Sequence, residues 1–476
     1  MVLMFQSLVS VGNTILWSYL LIALLIGLGI YFSIATKFAQ FRFIGEMFRL
    51  LVDKATVSTE GKKGVSSFQA FCISTASRVG TGNLAGVAMA ISIGGPGAVF
   101  WMWLIALLGA ATSFIESTLA QIYKVKDDKG FRGGPAYYME KGLNKRWLGI
   151  IFAVLITLCF GLIFNSVQAN TISIAFESAF GMNRLAMGII LSIATALIIF
   201  GGVHRIAKVS QVIVPIMALL YLLLAIVIMI LNISEIPRIF SMIISNAFGM
   251  DEAIGGGIGA AILNGVKRGL FSNEAGMGSA PNAAATANVS HPAKQGFIQT
   301  LGVFADTIFI CSATAFMILL SGVFTNDNLS GIELTQAAMS THIGAWANSF
   351  VAIAILLFAF SSIIGNYYYG ETNIEFIQSN KLWILIYRLA VLGMVVFGSL
   401  AGIQIVWDLA DLFMGLMAVI NLVAIFLLGK IAFAALKDYS EQRKQGKDPV
   451  FYASSIEGLT NTECWNDEIE KVDKEG

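Results

Sequence analysis

A hydrophobic stretch of the chain is interrupted at its centre by a polar, glycine-rich sequence. Apolar residues 65–72 and 84–93 flank the segment 73–83, which ends in Arg78-Val-Gly-Thr-Gly-Asn83. In hydrocarbon this segment would leave backbone polar groups without partners, unless protein, water or a bound solute satisfied them. The interruption therefore predicts a solute-binding site inside a membrane protein.

Composition places the surroundings of this segment in a membrane. The 476 residues are 57% hydrophobic and 12% charged, with a mean hydropathy of +0.78, which is unlike a soluble domain. A net charge of +1 gives no indication of nucleic-acid binding. The first apolar run has no preceding basic residue and no small-residue cleavage pattern, so we expect a retained span and not a signal peptide. The four cysteines lack CxxC spacing and predict neither disulfides nor a metal site.

Apolar runs long enough to cross roughly 30 Å of hydrocarbon predict about eleven spans. They cover approximately residues 14–36, 65–93, 96–123, 147–177, 183–202, 209–232, 252–279, 297–323, 346–376, 383–402 and 405–436. Basic residues are concentrated in the connections after spans one, three and five and in the tail 437–476, which predicts an external N-terminus and a cytoplasmic C-terminus. The tail is expected to be polar and flexible.

Glycines at 255–259 interrupt the seventh predicted span as well. Lys267, Arg268 and Glu274 are predicted to mark the cytoplasmic end of this span, which places its break at the glycines. If segment 1–36 is a peripheral helix, the transporter core 37–436 divides into inverted repeats at about 65–232 and 252–436, each opening with an interrupted helix. Such a pair indicates a transport site near the bilayer midplane, although glycines also serve close helix packing.

Five motifs carry a family resemblance. They are Thr81-Gly-Asn-Leu-Ala-Gly86, Gly94-Gly-Pro-Gly-Ala-Val-Phe-Trp-Met-Trp103, Phe131-Arg-Gly-Gly-Pro-Ala-Tyr-Tyr138, Arg268-Gly-Leu-Phe-Ser-Asn-Glu-Ala-Gly-Met-Gly-Ser-Ala-Pro281 and Tyr368-Tyr-Gly-Glu371. Together they resemble the alanine or glycine:cation symporter family, from about residue 14 to residue 436, and most closely its Bacillus-type members. The resemblance implies an all-α, leucine-transporter-like fold of 5+5 inverted repeats, Na+ as the coupling ion without an organic cofactor, and a small neutral amino acid as the substrate.

The first interruption is predicted to present two opposite partial charges. With the N-terminus outside, the half-helix that starts near Asn83 has its N-terminus at the midplane, where free N–H groups favour a carboxylate. The preceding half-helix ends at 75–77, where free carbonyls favour sodium. The predicted substrate-binding residues are Thr75, Gly80, Thr81, Gly82, Asn83, Gln168, Gly255, Gly256, Gly257 and Asn366.

The sodium site is predicted to combine these carbonyls with hydroxyl groups from span nine. In the leucine-transporter-like fold the matching helix supplies two adjacent hydroxyls to a sodium site, and Ser361 and Ser362 resemble that pair. The predicted ligands are Thr75, Ala76, Ser77, Ser361 and Ser362. The alternative is that each serine only donates to the carbonyl four residues earlier on its own helix.

Two amides are predicted to define the substrate. Gln168 on span four can meet both an ammonium and a carboxylate, or can instead hold helices together. Asn366 lies one helical turn after Ser362 and so shares its face. The resemblance implies tryptophan at the position of Asn366. An amide there frees volume and adds hydrogen-bonding capacity, which leaves room for a larger polar side chain such as that of glutamine.

Arg78, inside the interruption, needs a partner because a charge near the midplane costs about 2.5 kcal/mol or more. Glu116 on span three and Asp306 on span eight are the candidates. Such a pair is either part of a gate or a purely structural ion pair.

These features together predict a sodium-coupled symporter in a bacterial plasma membrane that imports alanine, glycine or a related neutral amino acid by alternating access. Alternatives are a proton-coupled transporter or an exporter of the same fold and, less favoured, a channel. The sequence contains no His-Glu-x-x-His, Gly-x-Ser-x-Gly or P-loop pattern, so an enzyme is not expected. The expected partners are the substrate and the lipid bilayer, without nucleic acid or an obligate protein partner.

Overall fold

The computed structural model describes residues 2–53, 65–127, 130–249, 257–326 and 328–465. In these ranges the chain is a helical bundle with one antiparallel hairpin, β1 (Val125–Asp127) and β2 (Gly130–Arg132). The helices before residue 232 are α1 (Val2–Ile15), α2 (Leu21–Ala35), α3 (Ala39–Arg42), α4 (Ile44–Leu51), α5 (Ser67–Arg78), α6 (Val87–Gly94), α7 (Ala98–Ile122), α8 (Pro135–Lys141), α9 (Arg146–Ile156), α10 (Asn165–Phe180), α11 (Arg184–Ile199) and α12 (Gly202–Leu231). Those after it are α13 (Ile236–Ala247), α14 (Gly257–Asn273), α15 (Ala280–Ala284), α16 (Pro292–Val303), α17 (Ser312–Ser321), α18 (Gly331–Ile343), α19 (Ala347–Ile377), α20 (Lys381–Leu400) and α21 (Ile403–Lys444).

Several of these helices are joined by segments of tighter or wider winding. The π-helical segments are Leu16–Leu20, Gly82–Gly86, Thr157–Phe164 and Phe304–Cys311, and the 3-10 segments are Ile233–Glu235, Val323–Thr325 and Ala453–Ser455. A π-helical turn re-aims side chains within a helix and often occurs at functional sites.

Eight of the described helical segments are long and apolar enough to cross a membrane. They are Gln6–Ala35, Ala98–Ile122, Arg146–Phe180, Gly202–Leu231, Pro292–Ser321, Ala347–Ile377, Lys381–Leu400 and Ile403–Lys444. Each of them coincides with a predicted span. The other three predicted spans, 65–93, 183–202 and 252–279, correspond to shorter helices, namely α5 with α6, α11, and α14.

The outside of the bundle is apolar and its interior contains many polar groups. Large apolar side chains such as Leu197, Leu219 and Ile230 are more than half exposed. Helix interfaces inside the bundle use small residues. A Cβ on Gly97 would lie only 2.6 Å from the carbonyl carbon of Asn246, so glycine permits this close approach. This is the arrangement expected of a bundle whose perimeter faces lipid.

The first predicted interruption is confirmed. α5 begins at a capping box, in which Gln69 N donates to Ser66 Oγ and Ser66 N donates to Gln69 Oε1. The helix ends at Arg78, and Val79 takes an extended conformation with ψ 92°. Helical winding resumes with the π segment that leads into α6.

The second interruption lies in a different place from the predicted one. α14 runs without a break to Asn273, and the unwound residues are 274–279, ahead of α15. Glu274, Gly276 and Gly278 have φ values of +58°, +91° and +81°. This left-handed backbone cannot continue a helix, and for Glu274 it is a conformation that few non-glycine residues adopt.

The glycines at 255–257 are not part of this interruption. Gly255 and Gly256 lie outside the described residues. Gly257 is exposed at the first residue of α14, about 24 Å by helical rise from Asn273. The prediction that Gly257 binds substrate is therefore wrong, because it lies on the surface at the opposite end of α14 from the unwound residues.

The C-terminal tail is docked and not flexible over its described part. α21 continues past the predicted boundary at 436 to Lys444, and the chain then returns across the ends of other helices. Phe451 N donates to Ser290 O at 2.9 Å, and Trp465 Nε1 donates to Gln121 O at 2.9 Å. Both aromatic side chains are buried. The tail therefore connects the end of α7 with the loop between α15 and α16.

The same loop also touches the start of the first interrupted helix. Val65 forms a parallel β-bridge with Ala287. Lys294 Nζ lies 3.0 Å from Asp53 Oδ2 and 3.0 Å from Asp448 Oδ1. The segments that follow spans one, three, seven and eleven thus meet at one end of the bundle.

Replacing Trp465 by alanine is expected to release this tail, because the indole supplies both a hydrogen bond and buried apolar area. Loss of about 1.4 kcal/mol or more of docking energy would raise the rate of protease cleavage between residues 445 and 465 about tenfold. Cleavage is followed by mass spectrometry under native conditions. Glu457→Ala, an exposed change in the same tail, is the matched control and is expected to be cleaved like wild type.

Candidate functional site

The two interruptions meet in the interior through Glu274. Ser77 Oγ donates to Glu274 Oε1 at 2.8 Å, and Ser279 Oγ donates to Glu274 Oε2 at 2.5 Å. Ser77 Oγ also lies 2.7 Å from Asn366 Oδ1 on α19. All four side chains are buried. One carboxylate therefore joins both unwound segments and a third helix.

Side-chain amides hold the N–H groups that begin the second half of the first interrupted helix. Gly80 N donates to Asn83 Oδ1 at 2.8 Å, and Thr81 N donates to Gln168 Oε1 at 2.9 Å. These N–H groups, expected to be free, thus have neutral oxygen acceptors. Since a carboxylate is a stronger acceptor than an amide, an anion that displaced Gln168 Oε1 would bind well here.

Two glycines allow the first interruption to approach its neighbours. A Cβ on Gly80 would overlap Ser362 Oγ and would lie 2.8 Å from Gln168 Oε1. A Cβ on Gly82 would lie 3.0 Å from Phe271 Cδ1 on α14. The backbone of the break is therefore in direct contact with the predicted sodium-binding serine and the predicted substrate-binding amide.

Ser361 and Ser362 face the carbonyl end of α5. Ser361 Oγ lies 3.4 Å from Ala76 O, and Ser362 Oγ lies 3.4 Å from Val79 O. Both hydroxyls also donate to Phe358 O, at 2.8 and 3.1 Å. Because the hydroxyl protons are used there, the oxygen lone pairs are free to turn towards the α5 carbonyls, at a spacing wider than a good O–H···O hydrogen bond.

The donor set at this place consists of neutral oxygens. Thr75 O, a predicted sodium ligand, accepts from Val79 N at 2.8 Å, whereas Val79 O, which was not predicted, faces Ser362. Within the described ranges no group of three or more His, Cys, Asp or Glu residues is suited to hold a metal. Carbonyl and hydroxyl oxygens suit a hard monovalent cation.

Three buried polar atoms near the break have no hydrogen-bond partner in the described structure. They are Thr75 Oγ1, Thr81 Oγ1 and Asn366 Nδ2. A buried polar group without a partner is costly, and such groups are usually satisfied by a ligand or water. Their position beside Gly80 suits a small molecule that carries both donors and acceptors.

The predicted ion pairs of Arg78 with Glu116 or Asp306 do not form. Arg78 is buried and donates to Gln299 O at 3.2 Å and to Ser113 Oγ at 3.4 Å. In the part of the chain that is described, no carboxylate oxygen lies within 4.0 Å of its guanidinium. The reason is that both candidate carboxylates are turned towards other donors.

Glu116 holds the unwound part of the second interruption. Gly276 N and Gly278 N donate to its two carboxylate oxygens at 3.1 Å each, and Asn421 Nδ2 donates to it at 2.8 Å. Successive N–H groups in left-handed backbone form a concave site for an anion, and here a side chain of the same chain supplies that anion.

Asp306 supports the first interruption. Its carboxylate accepts from Asn83 Nδ2 at 2.6 Å, from Ser272 Oγ at 2.7 Å and from Thr307 Oγ1 at 2.8 Å. Asn83 in turn accepts from Gly80 N. Asp306 therefore orients the side chain that begins the second half-helix.

Arg268 lies inside the bundle and not at a cytoplasmic helix end as predicted. Its Nη2 donates to Asp411 Oδ2 at 2.5 Å, and its guanidinium stacks 4.6 Å from the Trp407 ring. Lys267 Nζ lies 3.3 Å from the same Asp411 oxygen. This buried pair was missed, although a lone Asp in an apolar span is by itself a reason to look for a buried partner.

Two interrupted helices whose unwound residues meet at a buried polar site define a membrane transporter. The fold is similar to that of a solved manganese transporter from Eremococcus coleocola, with a TM-score of 0.52 and 15% identity over 80% of this chain and 81% of that chain. The chain belongs to the sodium:alanine symporter family, whose model matches residues 2–453. It is therefore a multi-pass membrane transporter and not an enzyme.

Two relatives in Bacillus subtilis (strain 168) cover nearly the whole chain. The amino-acid carrier protein AlsT is 60% identical over 468 residues, which are 98% of this chain and 99% of AlsT. GlnT, named as a sodium/glutamine symporter, is 59% identical over 460 residues, which are 97% of this chain and 96% of GlnT. The predicted family and its Bacillus-type members are confirmed.

Proposed function

We propose that this protein imports a small neutral amino acid together with sodium by alternating access. The observation that carries the proposal is the pair of serine hydroxyls, each 3.4 Å from an α5 carbonyl oxygen, directly behind a glycine break lined by unpartnered polar atoms. A cation and a zwitterion bound on the two sides of one backbone segment would each favour the other, because binding linkage is reciprocal.

The substrate carboxylate binds at the start of the second half-helix in this proposal. Gly80, Thr81, Gly82 and Asn83 supply backbone N–H groups in a position favoured by the helix dipole. Gln168 leaves Thr81 N and then contacts the bound amino acid. The hydroxyl groups of residues 75 and 81 become partners of the substrate.

Sodium binds on the other side of the break, between α5 and α19. Ser361 and Ser362 provide hydroxyl oxygens, and Ala76 and Val79 provide carbonyl oxygens. Ordering of the α5 end by sodium would fix Gly80 and the residues that follow, so sodium binding would prepare the substrate site.

Alanine, glycine, serine and glutamine are the substrates that the site suits. Asn366 places an amide beside Ser77, where the family resemblance implies a larger indole. The two Bacillus relatives, an amino-acid carrier and a named sodium/glutamine symporter, support a neutral amino acid. We include glutamine because an amide-lined site can satisfy an amide side chain.

We further propose the 5+5 inverted repeat, with segment 1–36 peripheral, the N-terminus outside and the tail 437–476 in the cytoplasm. Support comes from packing. α7 packs on α16, and α10 on α19, which are the pairs expected between corresponding spans of two repeats. The segments after spans one, three, seven and eleven meet at one end, as an odd span count requires.

Replacing Ser362 by alanine tests the sodium site. We expect the sodium concentration for half-maximal uptake to rise about tenfold, because one of the cation's hydroxyl ligands is lost, with a smaller effect on maximal uptake. Uptake of labelled L-alanine and L-glutamine is measured in proteoliposomes against a series of sodium gradients.

Ser399→Ala provides the matched control for this test. Ser399 is also a buried serine that donates to the carbonyl four residues earlier, at 3.0 Å, but it lies on α20. It is expected to keep the wild-type sodium dependence. An unchanged sodium dependence in Ser362→Ala would show that the sodium site lies elsewhere.

A further inference from the structure

Three buried groups form a chain of two hydrogen-bond contacts with too few protons to be explained by one arrangement. Ser77 Oγ lies 2.8 Å from Glu274 Oε1 and 2.7 Å from Asn366 Oδ1. None of the three residues is more than 4% exposed. A hydroxyl carries one proton, and neither a carboxylate nor an amide oxygen can donate. The second proton must therefore come from one end of the chain.

Each end of the chain can supply that proton, and the two choices exclude one another. If Glu274 is ionised, Ser77 donates to it, and the Asn366 amide turns so that its NH2 group donates to Ser77. If Glu274 is protonated, it donates to Ser77, and Ser77 donates to the Asn366 oxygen. In both arrangements Ser279 Oγ continues to donate to Glu274 Oε2.

The two arrangements differ in what Asn366 presents to its surroundings. The amide atom that does not face Ser77 is buried and has no partner in the described structure. It is the carbonyl oxygen when Glu274 is ionised and the NH2 group when Glu274 is protonated. A single proton on Glu274 thus exchanges an acceptor for a donor at the predicted substrate site.

We propose that Glu274 is a protonation site that sets, through Ser77 and Asn366, how tightly the substrate ammonium group is held. This inference rests on the proposed function, since it assumes an amino-acid substrate beside Asn366. The ionised arrangement offers a carbonyl oxygen to the ammonium group. The protonated arrangement offers an NH2 group, which cannot accept from it.

Charged and titratable groups from several helices face Glu274. Arg78 on α5 attracts its ionised form, and Asp306 in the π segment before α17 opposes it. Tyr369 on α19 and Cys159 in the π segment before α10 also face this carboxyl group. Glu116 on α7 acts on the same unwound segment through the two glycine N–H groups. Glu274 is the group among these that contacts Ser77.

The test measures substrate affinity at two pH values with sodium saturating. Labelled L-alanine and L-glutamine are bound to the purified full-length protein at about pH 8.5 and about pH 5.5, on either side of the range in which a buried carboxyl group titrates. We expect wild-type affinity to be about fivefold weaker at the lower pH, as loss of one hydrogen bond implies. E274Q and S77A are expected to show no such change.

Glu371→Gln serves as the matched control. Glu371 is a buried carboxylate on α19 that pairs with Arg388 at 3.2 Å, away from this chain of contacts. It is expected to keep the wild-type pH response. A wild-type affinity that does not change with pH, or an E274Q variant that keeps the change, overturns the proposal.

A second measurement does not depend on transport. The infrared band of a protonated carboxyl group is followed in wild type and E274Q as the pH is lowered. We expect a band that grows with acidification in wild type and is missing in E274Q. Its presence in both proteins overturns the protonation site. If the band behaves as expected but neither amino acid binds with sodium, the proposed substrate class is wrong and the protonation site stands.

Discussion

Replacing Gly80 by alanine is expected to reduce sodium-driven amino-acid uptake to below about a tenth of wild type. The added Cβ overlaps Ser362 Oγ and lies 2.8 Å from Gln168 Oε1, so both side chains must move. Their movement removes the hydroxyl at the proposed sodium site and the acceptor of Thr81 N. Each lost contact is worth about 1 kcal/mol, and two together exceed a tenfold effect. The measurement is the initial rate of uptake in proteoliposomes at equal protein density.

Gly393→Ala separates this effect from a general response to the substitution. Gly393 lies within α20, where a Cβ would meet no atom within 4 Å. Alanine favours helix over glycine, so this variant is expected to fold and transport like wild type. Equal uptake by the two variants would contradict the close approach of the break to α10 and α19.

Replacing Asp411 by asparagine is expected to cost about 3–5 kcal/mol of stability. The change leaves Arg268 buried without its carboxylate and removes the partner of Lys267. Thermal unfolding in detergent, followed by intrinsic fluorescence, should show a large decrease in Tm. The double variant Arg268→Leu/Asp411→Leu is expected to recover part of it, because it removes both charges of the tightest pair.

Asp408→Asn is the matched control on the same helix. Asp408 lies about one helical turn before Asp411, is partly exposed and accepts from Gln404 at 2.8 Å. We expect its unfolding temperature to stay within the range of ordinary surface changes, about 0.5 kcal/mol. If Asp411→Asn unfolds at the same temperature as this control, the buried pair does not stabilise the bundle.

The first interruption could be predicted from sequence because its signal is local. Arg78-Val-Gly-Thr-Gly-Asn83 is polar within an apolar stretch, and nothing but a break explains it in a membrane. The serines on span nine were found because they are adjacent and otherwise isolated among apolar residues. The structure brings these elements together as expected.

The second interruption was misplaced for a physical reason. Glycines are concentrated at 255–259, but the backbone that leaves the helix is Glu274 to Ser279, where left-handed residues are held by Glu116 from another helix. That stabilisation is tertiary and leaves no trace in local composition. The same holds for Arg78, since the donors that occupy Glu116 and Asp306 come from residues distant in sequence.

The contact between the first and last spans has a consequence for how the protein is made. Trp17 Nε1 donates to Asp411 O at 3.1 Å, and these residues are 394 positions apart. At a synthesis rate of about 5–20 residues per second, the first helix waits about 20–80 s in the bilayer before its partner emerges. During that interval lipid alone surrounds the face that later packs on α21. The strongly apolar character of Gln6–Ala35, with a hydropathy of 2.2, is what allows it to wait there as an independent helix.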